Sequence, residues 1–479
     1  MEVNLTPSEI CFMSARELAN AIRRRSISAR EVMSAFLGQI ERINPKINAI
    51  VAKLDDEKCF ALADEADRHL ARGERVGPLH GLPFAFKELD PAVGFPMTRG
   101  SRIFKDYMPA EDSIIAERVK RAGVLAIGKT NISEFGMGSH SYNDVYGVTL
   151  NPYDLTKSAG GSSGGAGAAL AAGLLPLASG SDLGGSLRNP ANFNNIVALR
   201  PSVGLVPSAP SALPFFGFSV KGPMARSVGD VAFLLSSIAG ADPRDPATYP
   251  SDPAVFTEPL ERDFKNVRVA WCPDLGGLPI DRRVRSVLEG QRKTFSDLGC
   301  IVEEACPDLS EADDVFLTLR AWNYWHTLGP LLEQHRDQMK PEAVWQIEAG
   351  RDLSGAAVAQ AFARHGELMQ RMRLFQEKYE FLLCCVNQVP PFDADLHWPR
   401  EIDGVAMDNY LSWMKSAYWI SATFCPAISV PAGFTANGLP VGIQIVGRYR
   451  ADLGILQIAH AFERATGFGA TKPAIAIAR

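Results

Sequence analysis

The segment KSAGGSSGGAGAAL, residues 157–170, places five glycines and three serines in fourteen positions. Glycine weakens helix and strand interiors by roughly 0.5–1 kcal/mol relative to alanine, yet it lets backbone pass close to other groups. So dense a run demands a fold that uses this closeness. Three uses are open: a loop cradling a phosphate, a flexible linker, or a scaffold that aims a serine at a substrate.

The surrounding sequence argues for a packed protein around this run. Of 479 residues, 46% are hydrophobic and 22% charged, ordinary for a globular chain and enough to bury a core without staples. Ser14 with Glu17, and Ser28 with Glu31, read as capping boxes. Val32, Phe36 and Ile40 then recur every four residues and mark one buried helical face. Asp112 is expected to cap a helix ending at Gly123, and Ser227 with Asp230 to start one closing at Gly240. Short apolar runs at Val124–Ile127, Val267–Trp271, Ala427–Val430 and Val441–Val446 read as buried strands. Helices alternating with covered strands predict an α/β architecture. From about Asp281 to Trp419 the texture turns to long helical patterns holding six of the seven tryptophans (322, 325, 345, 398, 413 and 419). They serve either as core filling or as the wall of an apolar pocket.

Charge and cysteine usage exclude several classes. With 49 basic and 54 acidic residues the net charge is −5, without the basic footprint of a nucleic-acid partner. The opening MEVNLTPSEICFMS shows no signal peptide, and Ala166–Ala178, interrupted by Gly173 and Pro176, is too short to span a membrane. The eight cysteines form no CxxC pair, so reduced thiols in a cytoplasmic protein are expected. No metal-ligand spacing such as HExxH occurs, and no metal is expected.

Two motifs match by letter but not by context. Gly123–Thr130, GVLAIGKT, fits the phosphate-loop pattern, yet its four middle residues look like a strand and NISEFGMGS after it signals no helix. A nucleotide-binding module through this segment is the reading from a different class. Gly161–Gly165, GSSGG, fits the nucleophile elbow. The preceding NPYDLTKSA shows no apolar alternation, so its strand is missing, and none of the downstream histidines (326, 335, 365, 397, 460) has a distinguishing setting.

A third constellation lies at GSDLGGSLRNPA, residues 180–191. Paired glycines before a serine can turn several N–H groups toward one point, the geometry of an oxyanion hole. Taken alone, such a loop is usually a turn. Together with other segments, however, it resembles the amidase signature family. The shared features are GGSSGG, the GSDLGGSLRNP segment with its serine 24 positions after Ser162, and GPLHGLPFAFKELD with its lysine at 87. NISEFGMGS, NPYDL and PAISVPAGFTANGLPVGIQIVGR match as well. The resemblance runs from about residue 10 to 468 and is weakest between about 245 and 405.

The resemblance implies one α/β/α domain over residues 1–479 with a mixed central β-sheet covered by helices. Residues of about 70–230 would form the catalytic core, and about 281–419 a variable helical region lining the pocket. It implies Ser186 as nucleophile, Ser162 as bridging serine with a cis peptide bond before it, and Lys87 as base. The oxyanion donors would be the backbone N–H groups of Leu183, Gly184, Gly185 and Ser186, with Gly138, Ser139 and Arg188 at the substrate. Arg188 is either structural or a partner for a substrate carboxylate. No cofactor is implied, and the assembly would be a homodimer.

The residues support that chemistry. A serine needs an adjacent base, and lysine serves only when neutral, which burial favours. FAFK offers an apolar strand end for Lys87; alone, such a lysine would usually snorkel to water. Two departures stand out: Glu88 where the family commonly has aspartate, and Phe193-Asn194-Asn195 where many members read Phe-Cys-Gly. The expected activity is hydrolysis of a carbon–nitrogen bond in a small aryl amide or carbamate through an acyl-enzyme. The runner-up is the glutaminase subunit of a tRNA-dependent amidotransferase; a catalytically dead binding protein is disfavoured by the retained triad.

Overall fold

The computed structural model describes residues 5–477. Its helices begin where short side chains can take up free amides. In Ala29–Ile47, Ser28 accepts from the Glu31 amide while Glu31 accepts from the Ser28 N–H, and Val32, Phe36 and Ile40 are buried. Ser14 accepts from the Glu17 amide at the start of Ala15–Arg23, and Thr6 with Glu9 adds a further box before Pro7–Phe12. Ser227 caps Val228–Ile238, while the Asp230 carboxylate turns to the amides of Ala15 and Arg16 and ties two helix starts together. Two caps differ from expectation: at Ser14 the Glu17 carboxylate meets the hydroxyl and not the backbone N–H, so the box is half made. Ser113, not Asp112, caps Ile114–Arg121, because Asp112 is held by the Val93 amide and Lys120.

The central sheet is mixed and has eight strands. Their order is Ile301–Glu304, Arg268–Trp271, Phe381–Cys385, Pro440–Val446, Ala427–Phe434, Val197–Arg200, Val220–Ala225 and Leu177–Asp182. The first three run parallel and every later pair is antiparallel. Successive side chains point to opposite faces, so the sheet separates two cores. Val269, Leu383 and Ile445 join the core that holds Val231 and Ile455. Ala270, Leu382 and Cys384 join the one that holds Phe316 and Leu368. The long helices Ala312–His335 and Gly355–Lys378 cover this second face.

Strand Pro83–Lys87 stands in its own three-stranded ladder with Leu125–Thr130 and Ile50–Val51. All five of its residues are buried, as in a strand covered on both faces. Lys87 closes it, and its amine reaches Ser181 in the edge strand Leu177–Asp182 of the central sheet. A side chain thus bridges the two sheets at the candidate site.

One expectation is corrected here. Cys272 and Cys306 form a disulfide, their Cα atoms 5.3 Å apart, where reduced thiols were expected throughout; they stand 34 positions apart in sequence, a pairing no local motif marks. The other six cysteines are free and buried. The tryptophans mostly pack rather than line a pocket: Trp413 and Trp398 are buried, and Trp345 is exposed on the surface. Among the described residues no helix is long and apolar enough to cross a membrane.

Candidate active site

The glycine-rich run folds as a turn into a helix. Ser162 and Ser163 precede Gly164–Ala171, every residue of which is buried. Its glycines permit that burial: a Cβ on Gly165 would fall 2.3 Å from the Asn131 amide nitrogen, and one on Gly161 would fall 2.9 Å from that of His140. The Gly161–Ser162 peptide is cis. A strand does precede the turn, contrary to expectation. Asp154–Ser158 pairs with Leu150–Asn151 at a partly exposed edge, which explains its lack of apolar alternation. The elbow reading nevertheless fails. Ser163, the serine of that pattern, meets Lys87 and not a histidine, while the nearby His140 is engaged by Ser158 and the Ala394 carbonyl.

Lys87 is wholly buried. Its Nζ lies 2.9 Å from Ser162 Oγ, 2.8 Å from Ser163 Oγ and 2.9 Å from Ser181 Oγ. Burial is the largest cause lowering its pKa from 10.5 to about 7, with the charge of Lys221 adding to it; Asp90 and Asp182 act the other way. An amine so placed can be neutral near pH 7, accepting a proton from one hydroxyl while donating to the other two. Ser163 and Ser181 escaped the sequence reading. Their only signal is adjacency, one beside Ser162 and the other within GSDLGGS.

Ser186 sits on a loop anchored from beneath. Asp182, fully buried, accepts from the Gly185 amide at 2.8 Å and from the Leu187 amide at 3.2 Å. It also pairs with Arg188 at 3.0 Å and Arg200 at 3.2 Å. Burial alone would raise its pKa, but the two guanidiniums hold it well below the usual carboxylate range. Gly185 has φ +116, and a Cβ there would lie 2.6 Å from Ala417 Cβ, so only glycine fits. The Gly185 N–H, expected as an oxyanion donor, is therefore turned inward to Asp182. The amides of Leu183, Gly184 and Ser186 have no such partner among the described residues. Ser186 O in turn accepts from the Ser163 amide at 3.3 Å, which locks the two serine loops together.

Ser162, Ser181, Leu183 and Ser186 open onto one cavity of about 270 Å³, walled by Leu89, Phe135, Val206, Leu213 and Phe216 among others. The helical region contributes Asn323 and Tyr324 rather than its tryptophans; Trp322 stands behind, edge-on to Phe216. Three expected substrate contacts lie elsewhere. Arg188 is fully buried, donating to Asp182, Ser421, Gln444 and the Ala417 carbonyl. Ser139 is buried and accepts from Asn189 Nδ2 at 2.7 Å, and Gly138 backs onto Tyr410. Phe135 and Gly136, just ahead of them, line the cavity instead. The phosphate-loop match is likewise structural: Leu125–Thr130 is a strand, and the buried Lys129 donates to the Asp90 carbonyl.

Sequence and fold comparisons find relatives along nearly the whole chain. The family model described as Amidase matches residues 31–456. The chain is 34% identical over 478 residues to an acylamidase of Rhodococcus erythropolis, covering 98% of this chain and 99% of that protein. It is 30% identical to a glutamyl-tRNA(Gln) amidotransferase subunit of Thermosynechococcus vestitus, covering 96% of this chain and 99% of that one. The crystal structure of a bacterial aryl acylamidase superposes with a TM-score of 0.91 at 27% identity, covering 98% and 99% of the two chains. That of 6-aminohexanoate cyclic dimer hydrolase with its substrate gives 0.87 at 25% identity, covering 97% and 99%. The chain belongs to the amidase signature family. It is an amidase, a hydrolase of carbon–nitrogen bonds.

Proposed function

We propose that this amidase hydrolyses small amides carrying an aryl or comparable apolar group, through an acyl-enzyme on Ser186. The observation that carries the reading is the buried amine of Lys87 held 2.9 Å from Ser162 Oγ, a hydroxyl that opens onto a cavity walled in part by Phe135, Phe216 and Tyr324. Neutral Lys87 takes the Ser162 proton as Ser162 takes that of Ser186, whose Oγ attacks the carbonyl carbon. The amides of Leu183, Gly184 and Ser186 stabilise the developing oxyanion. Collapse breaks the C–N bond while the proton returns through Ser162 to the leaving nitrogen. Water then attacks the acyl ester, giving up its proton along the same path, and releases the acid.

Aryl carbamates share this carbonyl chemistry and form the neighbouring substrate class. The resemblance to glutamyl-tRNA(Gln) amidotransferase subunits supports a second reading, glutamine hydrolysis with ammonia passed to a partner. A panel of anilides, aliphatic amides, aryl carbamates and glutamine separates the two. The anilides are expected to turn over fastest. Glutamine turnover that appears only with a co-purifying subunit would favour the second reading.

A further inference from the structure

A second chamber of about 300 Å³ adjoins the catalytic cavity. The two share Leu89, Phe135, Ser208, Pro210 and Tyr324 as lining. The second also holds two cations, Arg99 and Lys221, and no carboxylate among its lining residues. Lys221 is already paired with Asp90. Arg99 is not: among the described residues its guanidinium has no carboxylate within ion-pair distance and donates no hydrogen bond, stacking only on the Phe104 ring at 4.8 Å.

The backbone that carries Arg99 is tied to the residue that follows the catalytic strand and to the cavity wall. Glu88, the residue after Lys87, is buried and accepts from the backbone amide of Thr98. The Arg99 carbonyl accepts from the Phe135 amide at 2.7 Å, and Phe135 belongs to the wall common to both chambers. Arg99 has φ 55, a left-handed turn residue clamped on both sides. Glu88, where the family commonly has aspartate, thus reaches the loop that carries Arg99.

A planar guanidinium with unused donors, in a chamber that holds a second cation and no carboxylate, fits a carboxylate better than any neutral group. We propose that Arg99 is a specificity-determining residue that binds a carboxylate on the substrate, remote from the scissile bond. This deepens the aryl-amide reading and rests on it only for the identity of the reacting bond.

Binding to the non-hydrolysing Ser186→Ala protein keeps the two apart. The probes are 4-acetamidobenzoate and its 4-methyl counterpart, with N-phenylsuccinamate and butyranilide as a pair carrying the acid on the acyl side. Titration calorimetry at low salt should show one carboxylate probe binding at least about tenfold tighter than its neutral partner, as expected for a charge-assisted hydrogen bond. The preference should weaken with added salt, vanish in Ser186→Ala/Arg99→Met and persist in part in Ser186→Ala/Arg99→Lys. A preference that survives Arg99→Met in a folded protein, or no preference in either pair, overturns the proposal. Turnover of these probes by the unmodified enzyme tests the hydrolase reading separately.

Discussion

Lys87 Nζ stands 2.9 Å from Ser162 Oγ and equally close to Ser181 Oγ, in a site where the amine has no exposure to water. The pKa of about 7 that this burial produces sets the expected pH dependence. The base must be unprotonated, so kcat/KM should rise as pH climbs through about 7 and level off above it. Lys221→Met removes the cation that helps keep the proton off and leaves Asp90 without its partner. Both changes favour charged Lys87, so the acid limb should move to higher pH. A limb that stays in place, or moves down, would count against Lys87 as the base.

In the proposed mechanism Ser186 and Ser162 play distinct parts that labelling can tell apart. A fluorophosphonate or sulfonyl fluoride should modify Ser186 stoichiometrically, as peptide mass mapping would show. Ser186→Ala should lower kcat by about 10⁴ or more with the fold unchanged, in line with loss of a serine nucleophile elsewhere. If the alanine protein keeps its activity, Ser186 is not the nucleophile.

Two further hydroxyls, of Ser163 and Ser181, also contact Lys87. Ser181→Ala removes a hydrogen bond to the amine without touching the cavity's apolar wall. Loss of one such bond is expected to cost about 0.5–1.5 kcal/mol, a several-fold fall in kcat with KM little changed. Steady-state kinetics on an anilide would check this, and a change confined to KM would instead make Ser181 a substrate contact.

How much of this was legible in sequence depends on distance along the chain. Caps were readable where, as with Ser28 and Glu31, the partners are three residues apart and satisfy each other locally. At Asp112 and Ser113 two neighbouring acceptors compete, and only the tertiary pull of Val93 and Lys120 decides between them. The three residues Lys87, Ser162 and Ser186 were legible through a resemblance spanning most of the chain. Their surroundings were not. Ser181 reaches Lys87 across 94 positions, and the Gly185 amide faces Asp182 because of a positive φ that the letters GG permit but do not specify. The tryptophans left two readings open for a similar reason: their content marks burial, while which helix face meets the pocket, here through Asn323 and Tyr324, depends on packing.

Asp182 carries the last prediction. It is fully buried and, among the described residues, is the only carboxylate paired with Arg188 and Arg200, both also fully buried. Asp182→Asn keeps the size but removes the anion, leaving two guanidiniums facing one another. Breaking a buried pair in this way costs about 3–5 kcal/mol. By contrast, Asp64→Asn breaks a solvent-exposed pair with Arg30 and should cost under about 1 kcal/mol. Urea denaturation of both variants beside the parent would test the contrast. Because Asp182 also holds the Gly185 and Leu187 amides, Asp182→Asn should lower kcat even under conditions where the protein remains folded. Equal, small shifts for the two variants would mean that the Asp182 network does not anchor the Ser186 loop.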